Sequence, residues 1–392
     1  MESNALLSDI ASRASALRRD IHAHPELAFN EHRTAGCVAR ELQRIGLDTF
    51  HGLAGTGVVG RLRCGSGNRS VGLRADMDAL PVDEANTFLH RSRHAGCMHA
   101  CGHDGHTAML VGAAEALAST RRFDGTVYFI FQPAEEHEGG AQVMVAEGLF
   151  DRFPMDRVFG LHNWPGMPAG NFGVVDGPVM AGADRFEIVV DGCGGHAAMP
   201  HQATDTVVAG SALVQALQTV VSRNADPLQS LVVSVTRFHA GHADNVLPGR
   251  AILGGTVRTL RPAVKERAIA GMNRVCQGIA AAYGVKVDLH YEHGYPPTIN
   301  DAAAAALCRA SAVAVAGAGR VRADLPPSMG AEDFSYMLQA VPGCYVWLGN
   351  GAGEGGCMLH SPHYDFNDEI IATGIRYWVD LAERALPLGD GS

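Results

Sequence analysis

The chain has 392 residues, of which 47% are apolar and 18% charged, a composition that excludes disorder and leaves room for two domains. Its formal charge is −10 without any Lys/Arg-rich run, which argues against nucleic acid or an anionic membrane as the main partner. The nine scattered cysteines indicate reduced thiols, and no stretch resembles a targeting signal or a membrane span. We therefore expect a cytoplasmic protein that selects its substrate at a local site.

Two amphipathic helices are predicted at the N-terminus, over about residues 3–23 and 31–45. Pro25 stops the first helix and Gly46 closes the second. His22 and His24 lie at the end of the first helix, where we expect a structural role.

Short apolar runs at 58–62, 70–81, 126–136 and 157–165 then alternate with a helical stretch at 106–119. This alternation predicts an α/β domain with a mostly parallel central sheet. Loops at the carboxyl ends of such strands converge on functional sites. Polar residues end three successive strands in this prediction: Asp76 and Asp78, then Glu135 and Glu136, then His162.

The stretch MHACGHDGHTA at 98–108 supplies a further set of polar residues between two of these strands. Cys101 and His103 are candidate metal ligands because thiolate and imidazole suit borderline transition ions. Gly102 and Gly105 would let the backbone turn tightly enough to direct both side chains inward. Taken alone, this pair is equally consistent with a free cysteine beside ordinary loop histidines.

Gly/Pro-rich linkers at 176–183 and 293–298 bracket a segment with its own pattern. Its predicted order is strand, helix, two strands, helix and strand, which is the β-α-β-β-α-β order of a ferredoxin-like α+β fold. An exposed edge strand in such a unit favours pairing with a second copy. We therefore expect residues 182–295 to form an inserted dimerisation or lid domain and the protein to be a homodimer or a higher homo-oligomer.

The α/β pattern resumes after the second linker. It predicts helices at 301–317 and 368–385, a loop opening a helix at 329–339, and a strand at 344–349. A glycine-rich loop before the last helix contains His360 and His363. Residues 1–181 and 296–392 are accordingly predicted to form one discontinuous catalytic, metal-binding domain.

Ten motifs follow one another along the chain: RRDIHAHPEL, RADMDALP, MHACGHDGHTAML, FQPAEE, GLHNWP, GGHAAMPH, NVLPG, GTVRTL, MGAEDFSYM and LHSPHYDFND. In their order and spacing they resemble the M20 family of metallopeptidases and amidohydrolases, in its hippurate hydrolase-like, N-acyl-L-amino acid amidohydrolase branch. The resemblance covers nearly the whole chain and implies a zinc-peptidase-like catalytic domain.

The resemblance implies a pair of divalent ions in each subunit, with manganese or zinc favoured and cobalt or nickel as alternatives. It assigns as their ligands Cys101, His103, Glu136, His162 and His360. Adjacent carboxylates at a strand end point in different directions, so one can bind metal while the other accepts a proton. The residues alone do not decide between the two, and the resemblance makes Glu135 the general base.

Asp76 and Asp78 are expected to orient the ligand imidazoles, with direct metal binding by Asp76 as the alternative. Many members of the wider family have His-x-Asp here, and the hippurate-like branch shares the Asp-x-Asp form. The other nearby histidines are left out of the ligand set. We expect His99 to lie behind the ligands, His106 on a helix face, His137 in solvent and His363 in a loop.

In the inserted segment, the resemblance makes His196 the residue that stabilises the oxyanion and Asn245 and Arg258 substrate contacts. The guanidinium of Arg258 suits a substrate carboxylate because its fork can bind both oxygens. Cys193 is expected to be buried or half-buried and to have no role as a thiol.

The function expected from these residues is metal-dependent hydrolysis of an N-acyl amino acid to a carboxylate and a free amino acid, using a water activated by Glu135 and the metal ions. A dipeptidase and an N-carbamoyl amino acid hydrolase are the rival enzymes. A metal-binding or interaction protein without activity would be expected to have lost the base or a ligand, and all of them are present.

Overall fold

The computed structural model describes residues 2–136, 138–352 and 357–389, with side chains from residue 5 onwards. The chain divides into two compact units. The large unit contains residues 1–177, 299–326 and 333–392, and the small unit contains 178–298 and 327–332. His137 lies outside the described residues, so the prediction made for it has no structural counterpart here.

Ten α-helices occur in the described residues, with short 3-10 turns at Pro200–Gln202, Ala318–Arg320 and Asp368–Ile370. They are α1 (Glu2–Ala23), α2 (His32–Ile45), α3 (His103–Thr120), α4 (Gly140–Ala146), α5 (Leu149–Arg152), α6 (Thr206–Ser222), α7 (Pro262–Tyr283), α8 (Ala302–Ala316), α9 (Ser335–Ala340) and α10 (Ile371–Ala385).

Sixteen strands accompany them in the same ranges. They are β1 (Asp48–Leu53), β2 (Gly57–Cys64), β3 (Ser70–Asp76), β4 (Gly125–Gln132), β5 (Arg157–Pro165), β6 (Phe172–Gly173), β7 (Gly177–Met180), β8 (Gly182–Asp191), β9 (Gly195–His196), β10 (Leu231–Ala240), β11 (Val246–Leu247), β12 (Arg250–Thr259), β13 (Lys286–Tyr295), β14 (Thr298–Asn300), β15 (Val321–Arg322) and β16 (Gly343–Gly351).

The large unit is built on an eight-stranded sheet of order β1-β2-β4-β3-β5-β16-β6-β15. Its central strands β4, β3, β5 and β16 run parallel, whereas β2 and β6 are antiparallel to their neighbours in this centre. All eight residues of β4 are buried, as expected of a strand covered on both faces. The predicted α/β class with a mostly parallel central sheet is confirmed.

Apolar residues from the sheet and from five helices form one core in the large unit. Helix α3 lies at its centre, where it packs against α1, α2 and α10, and it is buried on nearly all sides. A buried helix needs no polar face, which explains why the sequence from Ala108 to Leu117 shows little amphipathic periodicity. None of the helices in the described ranges is both long and apolar enough to cross a membrane.

The small unit contains a four-stranded antiparallel sheet of order β10-β12-β8-β13. Helices α6 and α7 pack on this sheet around a separate apolar core. Asp205 caps α6 by accepting hydrogen bonds from two backbone N–H groups, and Pro262 and Gly284 bound α7. The order along the chain is β8-α6-β10-β12-α7-β13, as the ferredoxin-like prediction requires.

Candidate metal centre

The candidate site lies in the large unit, where α3 begins beside the carboxyl ends of β3 and β5. The loop before α3 reverses at Gly102, whose φ of 95° lies in the left-handed region. A Cβ atom at Gly102 would collide with the side chains of Asn163 and Tyr364. Glycine is therefore required for Cys101 and His103 to approach the strand ends.

Cys101, His103 and His162 form the buried half of the site. Their exposed fractions are 6%, 0% and 6%, and one potential ligand atom from each lies within 4.8 Å of the others. The Sγ atom of Cys101 is 3.3 Å from Nε2 of His162. Nε2 of His103 is buried and makes no hydrogen bond to a described residue, so it is available to a ligand within the cluster.

Glu136 and His360 form the open half of the site. Nε2 of His360 is 3.0 Å from a carboxylate oxygen of Glu136, and half of the His360 side chain is exposed. His360 has a φ of 67°, and its backbone N–H donates to the carbonyl oxygen of Ala100 at 2.7 Å. This bond ties the C-terminal loop to the residue that precedes Cys101.

Shared members join the two halves into one cluster. Cys101 groups with Glu136 and His360 as well as with the buried histidines, and His103 groups with Glu135 and Glu136. The structure thus brings together the five predicted ligands and the predicted base. Five sulfur, nitrogen and oxygen donors around one space fit divalent transition ions by the chemistry of the set.

The electrostatics of the cluster also fit a cation. Burial, with Glu136 and Glu135 nearby, raises the pKa of the Cys101 thiol well above its usual range. Burial also lowers the pKa of His103, but Asp76 and Asp78 outweigh it and raise that pKa to about 10. A cation would therefore compete with protons on Cys101 and His103, so its binding must release protons.

Burial and the nearby imidazole of His106 lower the pKa of His162 well below its usual range. His162 is accordingly neutral at physiological pH, which is the form of imidazole that binds metal ions.

Asp78 fixes residues on both halves of the site. Its Oδ1 lies 3.1 Å from Nδ1 of His103, and its Oδ2 accepts the backbone N–H of Glu136 at 2.9 Å. Asp76 has a different partner, because its Oδ1 lies 2.6 Å from Nδ1 of His106, whereas its Oδ2 is 3.8 Å from Nε2 of His103. The second oxygen of Asp76 forms an ion pair with the buried Arg74 at 2.7 Å.

Sequence reasoning missed a buried hydrogen-bond network behind the ligands. His106, expected on a helix face, is 2% exposed and accepts the backbone N–H of Asn163 on Nε2 at 2.9 Å. The amide of Asn163 donates to the carbonyl oxygen of Cys101 at 2.7 Å and accepts the hydroxyl of Tyr364 at 2.6 Å. The one available signal was position, since Asn163 directly follows His162.

The other histidines near the site are placed differently. His99 is 1% exposed and neither ring nitrogen has a hydrogen-bond partner in the described residues. Burial lowers its pKa to about 3. His22, expected to be structural, is buried against Asp104 with Nδ1 and Oδ2 2.8 Å apart. His363 is exposed.

The predicted substrate residues of the small unit lie at the ends of its strands. His196 is exposed on β9 and pairs with β11, and the carbonyl oxygen of Asn245 accepts the N–H of Ala197 at 3.0 Å. Arg258 is half-buried near the end of β12. No described carboxylate forms an ion pair with it, and burial lowers its pKa.

The expectation that Cys193 is buried or half-buried is wrong. Cys193 is exposed because β8 ends at Asp191, and the loop that follows is anchored by a backbone bond from Cys193 N–H to the hydroxyl of Thr204 rather than by its side chain.

Residues 72–384 match the family described as Peptidase family M20/M25/M40. A hippurate hydrolase of Campylobacter jejuni is 38% identical over a region that covers 96% of this chain and 98% of that protein. An N-acyl-L-amino acid amidohydrolase of Geobacillus stearothermophilus is 45% identical over 76% of this chain and 81% of its own length.

A solved structure gives the same result. A Bacillus subtilis protein, described as a dinuclear metal-binding peptidase from the M20 family, matches with a TM-score of 0.86 and 33% identity, covering 97% of this chain and 99% of that one. The resemblance found in the motifs is thus confirmed over nearly the whole chain. The chain belongs to the M20/M25/M40 peptidase family and is a metal-dependent hydrolase.

Proposed function

We propose that the protein hydrolyses the amide bond of N-acyl amino acids, of the hippurate or N-acetyl type, and releases a carboxylate and a free amino acid. The observation that carries the proposal is the joining of Cys101, His103 and His162 with two adjacent glutamates in one cluster. The names of the relatives from Campylobacter jejuni and Geobacillus stearothermophilus support the same substrate class.

The five ligands in this proposal are Cys101, His103, Glu136, His162 and His360, and they would hold two divalent ions. When bound, such ions polarise an amide carbonyl and lower the pKa of water. We favour manganese or zinc, with cobalt or nickel as alternatives, because the donors are mixed and metal availability often outranks affinity. Asp78 keeps His103 oriented through its 3.1 Å contact with Nδ1.

Glu135 is the general base in this proposal. It is 6% exposed and shares a cluster with His103 and Glu136. Its carboxylate takes a proton from the attacking water as the oxygen–carbon bond forms, and then delivers that proton to the departing nitrogen as the carbon–nitrogen bond breaks.

The small unit would contribute three residues. We assign the oxyanion to His196 and substrate contacts to Asn245 and Arg258. Arg258 suits a carboxylate because it has no ion-pair partner among the described residues and its fork can bind both oxygens. The dimer expected from the edge strands of this unit stays a prediction, which mass measurement in solution tests, and so does the cytoplasmic location.

The decisive experiment is Glu135→Gln. We expect turnover to fall below detection while metal content stays near that of the wild type, because the base moves a proton and does not bind an ion in this proposal. Metal content is read by elemental analysis of protein purified without chelator. Glu138→Gln, at an exposed residue three positions away, is the matched control and should retain activity. Loss of metal from Glu135→Gln would mean that the two glutamates have exchanged roles.

A parallel substrate panel separates the rival enzymes. N-benzoylglycine and N-acetyl amino acids should be hydrolysed faster than dipeptides and N-carbamoyl amino acids. The opposite order of hydrolysis rates would contradict the proposed substrate class but not the metal-dependent chemistry.

A further inference from the structure

Glu31 is a buried carboxylate that connects the start of α2 to the turn after β4. It is fully buried and immediately precedes the first residue of α2. One oxygen accepts the backbone N–H groups of Phe29 at 3.0 Å and Ala134 at 2.9 Å. The other oxygen accepts the hydroxyl of Thr56 at 2.6 Å. Three donors thus converge on one buried acceptor.

The bond to Ala134 is made at a strained residue. Ala134 has a φ of 54°, in the left-handed region that residues with a side chain rarely adopt, and it is fully buried. It follows the end of β4 at Gln132 and directly precedes Glu135 and Glu136. The direction in which the two glutamates leave the strand therefore depends in part on this unfavourable conformation.

Other bonds in the described part of this turn do not involve the N–H of Ala134. Gly140 N–H donates to the carbonyl oxygen of Ala134 at 2.9 Å, and Glu136 N–H donates to Asp78 at 2.9 Å. Without Glu31, a buried N–H would lose its acceptor, and the left-handed conformation would lose the bond that offsets its cost.

We propose that Glu31 is a positioning residue that holds Ala134 in the left-handed conformation and so directs Glu135 and Glu136 into the site. This inference rests on the roles proposed above for the two glutamates. Strained backbone persists only where its surroundings determine it, and here the determining group belongs to a segment about a hundred residues earlier in the chain.

Glu31→Gln should preserve the three hydrogen bonds that hold Ala134 and its neighbours in place. The carbonyl oxygen of the glutamine can accept the N–H groups of Phe29 and Ala134, and its amide can donate to the hydroxyl of Thr56, which is able to accept. Glu31→Ala removes every acceptor, and Glu31→Asp keeps the charge but shortens the reach. Geometry rather than charge should therefore decide activity.

The test is a double-mutant cycle between Glu31→Ala and Ala134→Gly, read by kcat, KM and metal content. We expect Glu31→Ala to lower kcat about a hundredfold with little change in KM, because a displacement near 1 Å at the reacting groups has that effect. Metal content should also fall, because Glu136 moves. Ala134→Gly should recover about fivefold to thirtyfold of the loss, since left-handed backbone costs glycine nothing and other residues about 1–2 kcal/mol.

Arg121→Gly is the matched control. Arg121 also has a left-handed φ, of 49°, but it caps the far end of α3 and does not contact Glu31. It should not rescue Glu31→Ala. If Glu31→Ala fails to fold, Glu31→Asp takes its place in the same cycle, and Glu31→Gln should retain most of the activity.

Equal losses from Glu31→Ala with and without Ala134→Gly would overturn the proposal, as would rescue by Arg121→Gly. If the wild type hydrolyses none of the N-acyl amino acids, the proposed function fails instead. The recovery of metal content by Ala134→Gly then still decides the role of Glu31.

Discussion

The two halves of the site differ in how their side chains are held. In the buried half, the imidazole of His103 bonds to Asp78, and His162 bonds to the carbonyl oxygen of its neighbour at 2.6 Å. In the open half, His360 lies on a loop with half of its side chain in solvent. The buried half is therefore arranged by the fold itself, whereas the open half gains most from binding an ion.

The largest expected effects come from His103→Ala and His360→Ala, which test whether the two halves are held differently. Both should lose bound metal and turnover, because both remove a proposed ligand. His103→Ala should also destabilise the metal-free protein by about 3–5 kcal/mol, since it leaves the carboxylate of Asp78 buried without the cation that faces it. His360→Ala should change the free energy of unfolding by less than about 1 kcal/mol, because its side chain is half exposed.

Urea unfolding after chelator treatment measures both variants. Equal destabilisation by the two substitutions would show that the halves do not differ in rigidity.

The stability of the buried half should depend on pH through His22, because His22 supports the start of α3, which carries His103. Burial lowers its pKa, but hydrogen bonds with Asp104 and Glu84 outweigh this and raise the pKa from 6.5 to about 9. A raised folded-state pKa contributes stability that is fully present below pH 6.5 and is lost as pH rises through 9. A shift of this size corresponds to roughly 3 kcal/mol.

His22→Gln should therefore be less stable than the wild type at pH 6, and the gap should narrow by pH 10. Thermal or urea unfolding across this range measures it. His24→Gln, which alters a more exposed ring two residues away, is the control and should show no such trend. A gap that is independent of pH would contradict the protonated state of His22.

The smallest effect is expected from Tyr364→Phe, which removes the hydroxyl donated to Asn163. Leaving that buried amide oxygen unpaired should cost about 1–2 kcal/mol of stability. Metal affinity should fall about 10-fold to 100-fold, because Asn163 anchors Cys101 and His106. Tyr377→Phe removes an equally buried hydroxyl outside this network and should leave metal affinity unchanged. A matching fall in Tyr377→Phe would mean that general destabilisation, not the network, weakens metal binding.

Most of the fold could be predicted because its periodicity is local. The parallel strands are apolar runs in the sequence. In the small unit, the order of strands and helices follows directly from the pattern of apolar residues. Strand β1 was missed because its sequence, DTFHGL, is polar and largely exposed at the edge of the sheet. An edge strand is defined by its partner β2 rather than by its own composition.

The cluster could be predicted for a different reason, which is that strand ends and motifs mark Cys101, Glu136 and His162 along the chain. The contacts that support the cluster could not be predicted from the sequence. Whether Asp76 faces His103 or His106 depends on side-chain geometry, and the bonds from Glu31 to Ala134 and from Tyr364 to Asn163 join residues 103 and 201 positions apart. A pattern within a short window of sequence does not show contacts between residues that are so far apart in the chain.

The discontinuous large unit has a consequence for biosynthesis. Buried Arg18 in α1 pairs with Asp365 and Asp368, more than three hundred residues later, and His360 meets Glu136 across more than two hundred residues. The cluster can therefore close only after His360 has left the ribosome, whereas the sheet and helices of the small unit lie within residues 182–295 and are available earlier. If these residues hold the ions as proposed, the complete site can bind them only after His360 has been synthesised.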